Sequence, residues 1–169
     1  MEEKYLIIAG TDRPGSNTIK IARLYRQMLE KKAIEAKLFS LEEYNPLGKG
    51  EERQVWQEEW LIPPTKFIFV SPEYNGSIPG ILKLLIDQAD IRRAWWHKKA
   101  MLVGVSTGRA GNLRGMDHLT GILHYLKMHV LPNKLPISTV DKLLDEHGQL
   151  SDMPLIHSME AQVDEFIQF

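Results

Sequence analysis

The sequence contains no cysteine. That absence removes thiol nucleophiles, thiolate metal centres, CxxC redox pairs and disulfide scaffolds at once. An excess of charge is missing too: 21 Lys and Arg stand against 22 Asp and Glu, leaving a net charge of -1. Proteins held to nucleic acid or membrane surfaces by electrostatics usually carry a clear basic surplus, so neither partner is expected. No stretch approaches the roughly 18 apolar residues of a membrane span, and no membrane insertion is expected. The apolar run Tyr5 to Ala9 is too short for a secretion signal and follows two acidic residues. The expectation is a cytoplasmic protein. A chain of 169 residues fits one domain over residues 1–169 and buries enough surface to need no covalent staple.

What is present is an alternation of short apolar runs with helical stripes. The runs are Tyr5 to Ala9, Lys66 to Val70, Met101 to Val105, and a weaker one from Val130 through Leu131 toward Ile137. Ile21, Leu24, Tyr25, Met28 and Leu29 repeat at helical spacing, as do Leu155, Met159, Val163, Phe166 and Ile167. Such alternation predicts an α/β fold with helices on both faces of a parallel sheet, a three-layer doubly wound arrangement. The first three runs are almost continuously apolar, as strands covered on both faces must be. Ile34 to Leu38 alternates apolar and charged residues and suits an edge. Pro132 and Pro136 mark the last strand as the other edge. Five strands with the second and fifth outermost give the order 2-1-3-4-5, which is flavodoxin-like. Trp56 and Trp60, four apart in the polar stretch 42–65, are expected to pack a short helix onto the body.

In such sheets ligands bind beyond the carboxyl ends of the central strands, and the polar, glycine-bearing segments lie there. After the first strand come Thr11, Arg13, Ser16, Asn17 and Thr18, opening into a helix near Ile19. Free N–H groups and the helix dipole favour an anion at such a start, and Arg13 can add a charge-assisted hydrogen bond to phosphate. An ordinary helix cap from Ser16 or Asn17 would not by itself call for Thr11 and Arg13. Neither GxxxxGK[ST] nor GxGxxG occurs here. After the run Lys66 to Val70, Pro72, Glu73, Tyr74, Asn75 and Gly76 form a punctuated turn with an aromatic wall. After the next, Ser106, Gly108, Arg109 and Gly111 allow a ligand close to the backbone. Converging, the three loops read as a site for a phosphate attached to a planar ring.

At these residues the sequence resembles the NADPH-dependent FMN reductase family. The resemblance rests on Gly10 to Thr18, on Pro72 to Gly80 with Leu82, Lys83, Ile86 and Asp87 behind it, and on the Ser106 loop. It runs from Tyr5 to Ser138. Thr11 and Thr18 depart from the family's usual residues but keep hydrogen-bonding hydroxyls, while Arg109 and Asn112 interrupt a loop often richer in glycine. The resemblance implies FMN as cofactor and NADPH or NADH as co-substrate. Thr11, Arg13, Ser16, Asn17 and Thr18 would hold the phosphate. Pro72, Glu73, Tyr74, Asn75 and Gly76 would border the ring, with Ser106, Gly108 and Gly111 on its other edge. Hydride would pass to the flavin and then to a small-molecule electron acceptor: a quinone, an azo compound, a metal oxyanion or free flavin. The cofactor carries the redox chemistry, so no catalytic side chain is assigned, and Ser106-loop amides or Arg109 would offset charge on the reduced ring. A non-enzymatic FMN-binding electron carrier and a phosphate-ligand sensor are the alternatives.

The helix after Pro79 carries Ile81, Leu82, Leu84, Leu85, Ile86, Ala89 and Ile91 around nearly its whole circumference, so burial on two sides is expected. With the resemblance, this points to a homodimer or homotetramer. Arg92, Arg93, His97, Lys98 and Lys99 surround Trp95 and Trp96, a cluster read either as a phosphate-binding edge or as a solvated surface anchored by two indoles. His118, His124 and His129 lack metal-ligand spacing, and no metal is expected.

Overall fold

The computed structural model describes residues 3–169. Strand β1 (Tyr5–Ala9) is buried throughout and pairs in parallel with β2 (Ala36–Ser40) on one side and β3 (Lys66–Pro72) on the other. Ile7 lies opposite both Leu38 and Ile68. Beyond β3 lies β4 (Lys99–Val105), again parallel, with Ile68 opposite Met101. The sheet order is the one expected, β2-β1-β3-β4-β5. The fifth position differs in one respect. It is shared by two short strands, β5 (His129–Val130) and β6 (Leu135–Ile137), both paired with β4. Pro132 falls between them and cannot donate to a ladder, so the edge breaks there.

The period-two alternation of side chains sends Tyr5, Ile7 and Ala9 to one face, against α1 (Asn17–Lys31) and α5 (Met153–Gln168). Leu6 and Ile8 point to the other face, against α3 (Gly80–Gln88) and α4 (Leu113–Tyr125). Helix α2 (Glu51–Trp60) lies on that second face, where Trp56 and Trp60 sit 5.2 and 5.0 Å from the Phe39 ring. Both indoles therefore pack, as their spacing predicted. Helix α1 begins at Asn17 rather than near Ile19 because the Ser16 hydroxyl accepts from the Ile19 N–H at 3.2 Å. Its far end displaces the second strand from Ile34 to Ala36. Ala33 turns to φ 57° while the Ile34 N–H bonds back to Leu29, which spends Ile34 and Glu35 on the exit turn.

Helix α3 is not covered all round. Leu82, Leu85 and Ile86 are buried, but Leu84 remains 37% and the following Ile91 42% exposed. Together with Ile122 and the 81% exposed Tyr125 of α4, Ile91 borders an open, mostly apolar groove of about 830 Å³ between the two helices. Of the basic-aromatic cluster, Trp95 is fully buried against Phe67 and Phe69. Trp96 carries Arg92 and Lys127 over its ring at 5.1 and 4.0 Å. Among the described residues no helix is long and apolar enough to cross a membrane.

Two lysines tie helix ends to the sheet. Lys66 is 1% exposed, and its ammonium donates to the carbonyls of Phe166 and Ile167 at 3.0 and 2.9 Å while pairing with Glu3 at 2.8 Å. Lys98 caps the end of α2 through the Leu61 and Ile62 carbonyls, and burial pulls its pKa down to about 8 from the ordinary 10.5. In the unfolded chain the amine keeps its proton to higher pH. The penalty of a charged, half-buried Lys98 is therefore fully present below pH 8 and relieved between about 8 and 10.5. Urea melts compared across that window should show Lys98→Met gaining less stability with pH than the wild type. A parallel pH dependence in the two proteins would show that Lys98 does not titrate there.

Candidate active site

Because β1, β3 and β4 run parallel and end together, the three segments that follow them meet at one rim. They enclose an open cleft of about 810 Å³, within the ~300–1,000 Å³ range of small-molecule sites. Twelve of the predicted residues line it: Arg13, Ser16, Asn17 and Thr18 from the first loop, Pro72, Glu73, Tyr74, Asn75 and Gly76 from the second, and Ser106, Gly108 and Arg109 from the third. Thr11 and Gly111 do not. Thr11 is 1% exposed and its hydroxyl bonds the Tyr74 phenol at 2.6 Å, so it props the aromatic wall from behind. Gly111 is buried and sits against Pro136 of β6. Val140, in a short 3-10 turn over Val140–Lys142, also lines the cleft. Its neighbours Ser138, Thr139, Asp141 and Lys142 are polar, but the segment follows an edge strand, and ligand loops are sought behind the central ones.

The first loop presents an anion-binding end. With the Ser16 hydroxyl committed to Ile19, the N–H groups of Asn17 and Thr18 have no partner among the described residues. These are the unsatisfied donors that every helix start leaves. Arg13 lies with its guanidinium 4.1 Å from the Tyr74 ring centre. Neither Arg13 nor Arg109 forms an ion pair among the described residues. Two unpaired guanidinium groups therefore line the cleft, together with the single carboxylate of Glu73.

The second loop is a two-residue hairpin turn. Tyr74 and Ser77 exchange both backbone hydrogen bonds, at 2.9 and 3.2 Å, across Asn75 and Gly76, which stand at φ 53° and 78°. Asn-Gly is the pair best suited to that left-handed geometry, a signal legible in the sequence that fixes the turn. The third loop is braced from within: the Ser106 hydroxyl donates to the Gly108 carbonyl at 2.9 Å and accepts from the Gly111 N–H at 3.0 Å. The Ser106 N–H is spent on Ile137 and the Glu73 N–H on Val105. The cleft-lining amides of these two loops left without a partner among the described residues are those of Asn75, Gly76, Thr107, Gly108, Arg109 and Ala110. A flat ligand with carbonyl and ring-nitrogen edges would meet these donors, and a phosphate would meet Arg13 and the start of α1. The donor set fits FMN.

The NADPH-dependent FMN reductase family model matches residues 4–142. The chain belongs to that family. An NAD(P)H-dependent FMN reductase of Pseudomonas aeruginosa is 36% identical over 88 residues, covering 50% of this chain and 48% of that protein, so the chain spans about half the length of that relative in the match. A quinone reductase of Pseudomonas putida is 26% identical over 172 residues, covering 95% and 90% of the two chains. The solved structure of FerB, a flavoenzyme NAD(P)H:(acceptor) oxidoreductase from Paracoccus denitrificans, superposes with a TM-score of 0.81 over 99% of this chain and 96% of that one. At 18% identity it bears on the fold of this FMN reductase family member alone.

Proposed function

We propose that the chain is an FMN-dependent NAD(P)H oxidoreductase, formed as a single FMN-binding domain over residues 1–169 and acting in the cytoplasm on a small-molecule electron acceptor. The observation that carries the reading is the cleft itself: the first loop brings unpartnered helix-start amides and Arg13, which lies over Tyr74, and the second and third loops bring further unpartnered amides. Arg13, Ser16, Asn17 and Thr18 would hold the phosphate. Pro72 to Gly76 and the Ser106 loop would grip the ring, with Arg109 offsetting negative charge where it accumulates. Bound there, FMN would accept hydride from NADPH or NADH and pass electrons to a quinone, azo, metal-oxyanion or free-flavin acceptor. The chain's own task is to hold and orient, and no side chain need move a proton.

Titration of the purified protein with FMN, followed by anaerobic NADPH, tests this directly. The expected result is uptake of one FMN per chain and bleaching of its visible absorbance by the nucleotide. Uptake without bleaching by NADPH or NADH would leave an electron carrier. Absence of uptake alongside binding of another phosphate compound would leave a sensor. The open groove between α3 and α4, lined by the exposed Ile91 and Tyr125, supports a homodimer through these helices. Light scattering should then give a mass at least twice the chain's 19.4 kDa, and a monomer would remove that part of the reading.

A further inference from the structure

We propose that Asn112 is a positioning residue that fixes the second loop against the third, and through it the seat of the flavin ring. The inference rests on the FMN-binding reading above. Asn112 is fully buried, lines no part of the cleft, and stands at φ 64°, a conformation that asparagine tolerates better than other residues with a side chain. Its side-chain nitrogen donates to the carbonyls of Ser71 and Pro72 at 2.9 and 3.0 Å. Those residues end β3, and Pro72 already lines the cleft. Shortly before Asn112, separated from it by Gly111, come Gly108, Arg109 and Ala110, which line the cleft from the third loop. One amide therefore bridges the roots of both walls.

The bridge has its own accommodation on α4. A Cβ at Gly115, one turn further on, would overlap the Asn112 side-chain oxygen and lie 2.8 Å from its Cγ. That oxygen is buried with no hydrogen-bond partner. Packing alone would be better served by an apolar side chain, since an unpaired buried oxygen is costly. What only an amide supplies here is the pair of donated bonds. Asn112 and Gly115 thus act as a coupled pair, the glycine making room for the side chain that joins the loops.

The test separates space-filling from positioning. Asn112→Gly keeps the backbone conformation and is expected to raise the Kd for FMN at least tenfold and lower the melting temperature. Gly115→Ala alone should do the same by displacing the asparagine. In the Asn112→Gly/Gly115→Ala double variant the alanine methyl takes up part of the vacated volume, where the Asn112 oxygen lay, and favours the helix, so the melting temperature should rise above that of Asn112→Gly while FMN binding stays at least tenfold weak. Hydrogen exchange in the flavin-free proteins supplies an independent measure. The Glu73 and Tyr74 amides, bonded to Val105 and Ser77, should exchange faster in both Asn112→Gly proteins than in wild type. Recovery of wild-type FMN affinity and exchange in the double variant would reduce Asn112 to a filler and overturn the proposal, as would wild-type affinity in Asn112→Gly. If the wild type itself takes up no FMN, the functional reading fails, and the exchange rates at Glu73 and Tyr74 alone decide the positioning role.

Discussion

Arg13→Ala is expected to weaken FMN binding by about 10- to 150-fold while leaving riboflavin binding nearly unchanged. The magnitude follows from the ~1.5–3 kcal/mol of a hydrogen bond to a charged group, at about 1.4 kcal/mol per tenfold. Arg13 lies over the Tyr74 ring, an exposed cation–π contact worth only ~0.5–1 kcal/mol. A phosphate at the start of α1 offers more, so the guanidinium should exchange one for the other on binding. Arg13→Lys keeps the charge but loses the planar fork and should fall between wild type and alanine. Titrations with both ligands at two salt concentrations check the assignment, since the Arg13 contribution for FMN should shrink as salt screens it. Equal losses for FMN and riboflavin would mean that Arg13 works by shaping Tyr74 and not through the phosphate.

The walls of this cleft were legible because their signals are local. Ser16 caps the helix it precedes, Asn75 and Gly76 make the turn their types demand, and each segment directly follows an unmistakably apolar strand. What sequence concealed lies in contacts between distant residues. Thr11 reads as a phosphate ligand from its place in the loop, yet its hydroxyl is taken by Tyr74, 63 residues away. Asn112 reads as an interruption of a glycine-rich loop, whereas it is buried and holds Ser71 and Pro72. Lys66 opens a run that reads as apolar throughout, and nothing local shows that its ammonium is enclosed by the end of a helix 100 residues on. The strand boundaries moved for backbone reasons. A non-glycine residue at φ 57° delays β2, and a proline divides the last edge. Periodicity finds strands and helices well, but it does not say which polar group a hydroxyl or amide will meet.

The glycine inside β4 shows how closely those distant contacts are built. Gly104 sits in an apolar run that reads as ordinary strand, but a Cβ there would overlap the Gly111 carbonyl oxygen and come within 3.1 Å of the Asn112 Cβ. The third loop cannot simply retreat, because Gly111 is itself backed by Pro136, with 2.6 Å between its Cβ position and that of the proline. Gly104→Ala should therefore cost about 3 kcal/mol, the upper part of the range for overpacking. For a domain of this size that means a melting temperature lower by about 6–12 °C. Flavin binding should fall with it, since the displaced loop carries Gly108 and Arg109. Gly108→Ala is the contrasting case: no atom lies within 4 Å of its Cβ position, so stability should change by no more than about 0.5 kcal/mol. Thermal melts of the two variants measure the difference. A Gly104→Ala protein as stable as wild type would show that the loop has slack. A stable Gly108→Ala protein with weakened FMN binding would put the ring edge against that backbone, since there the added methyl meets only what the cleft holds.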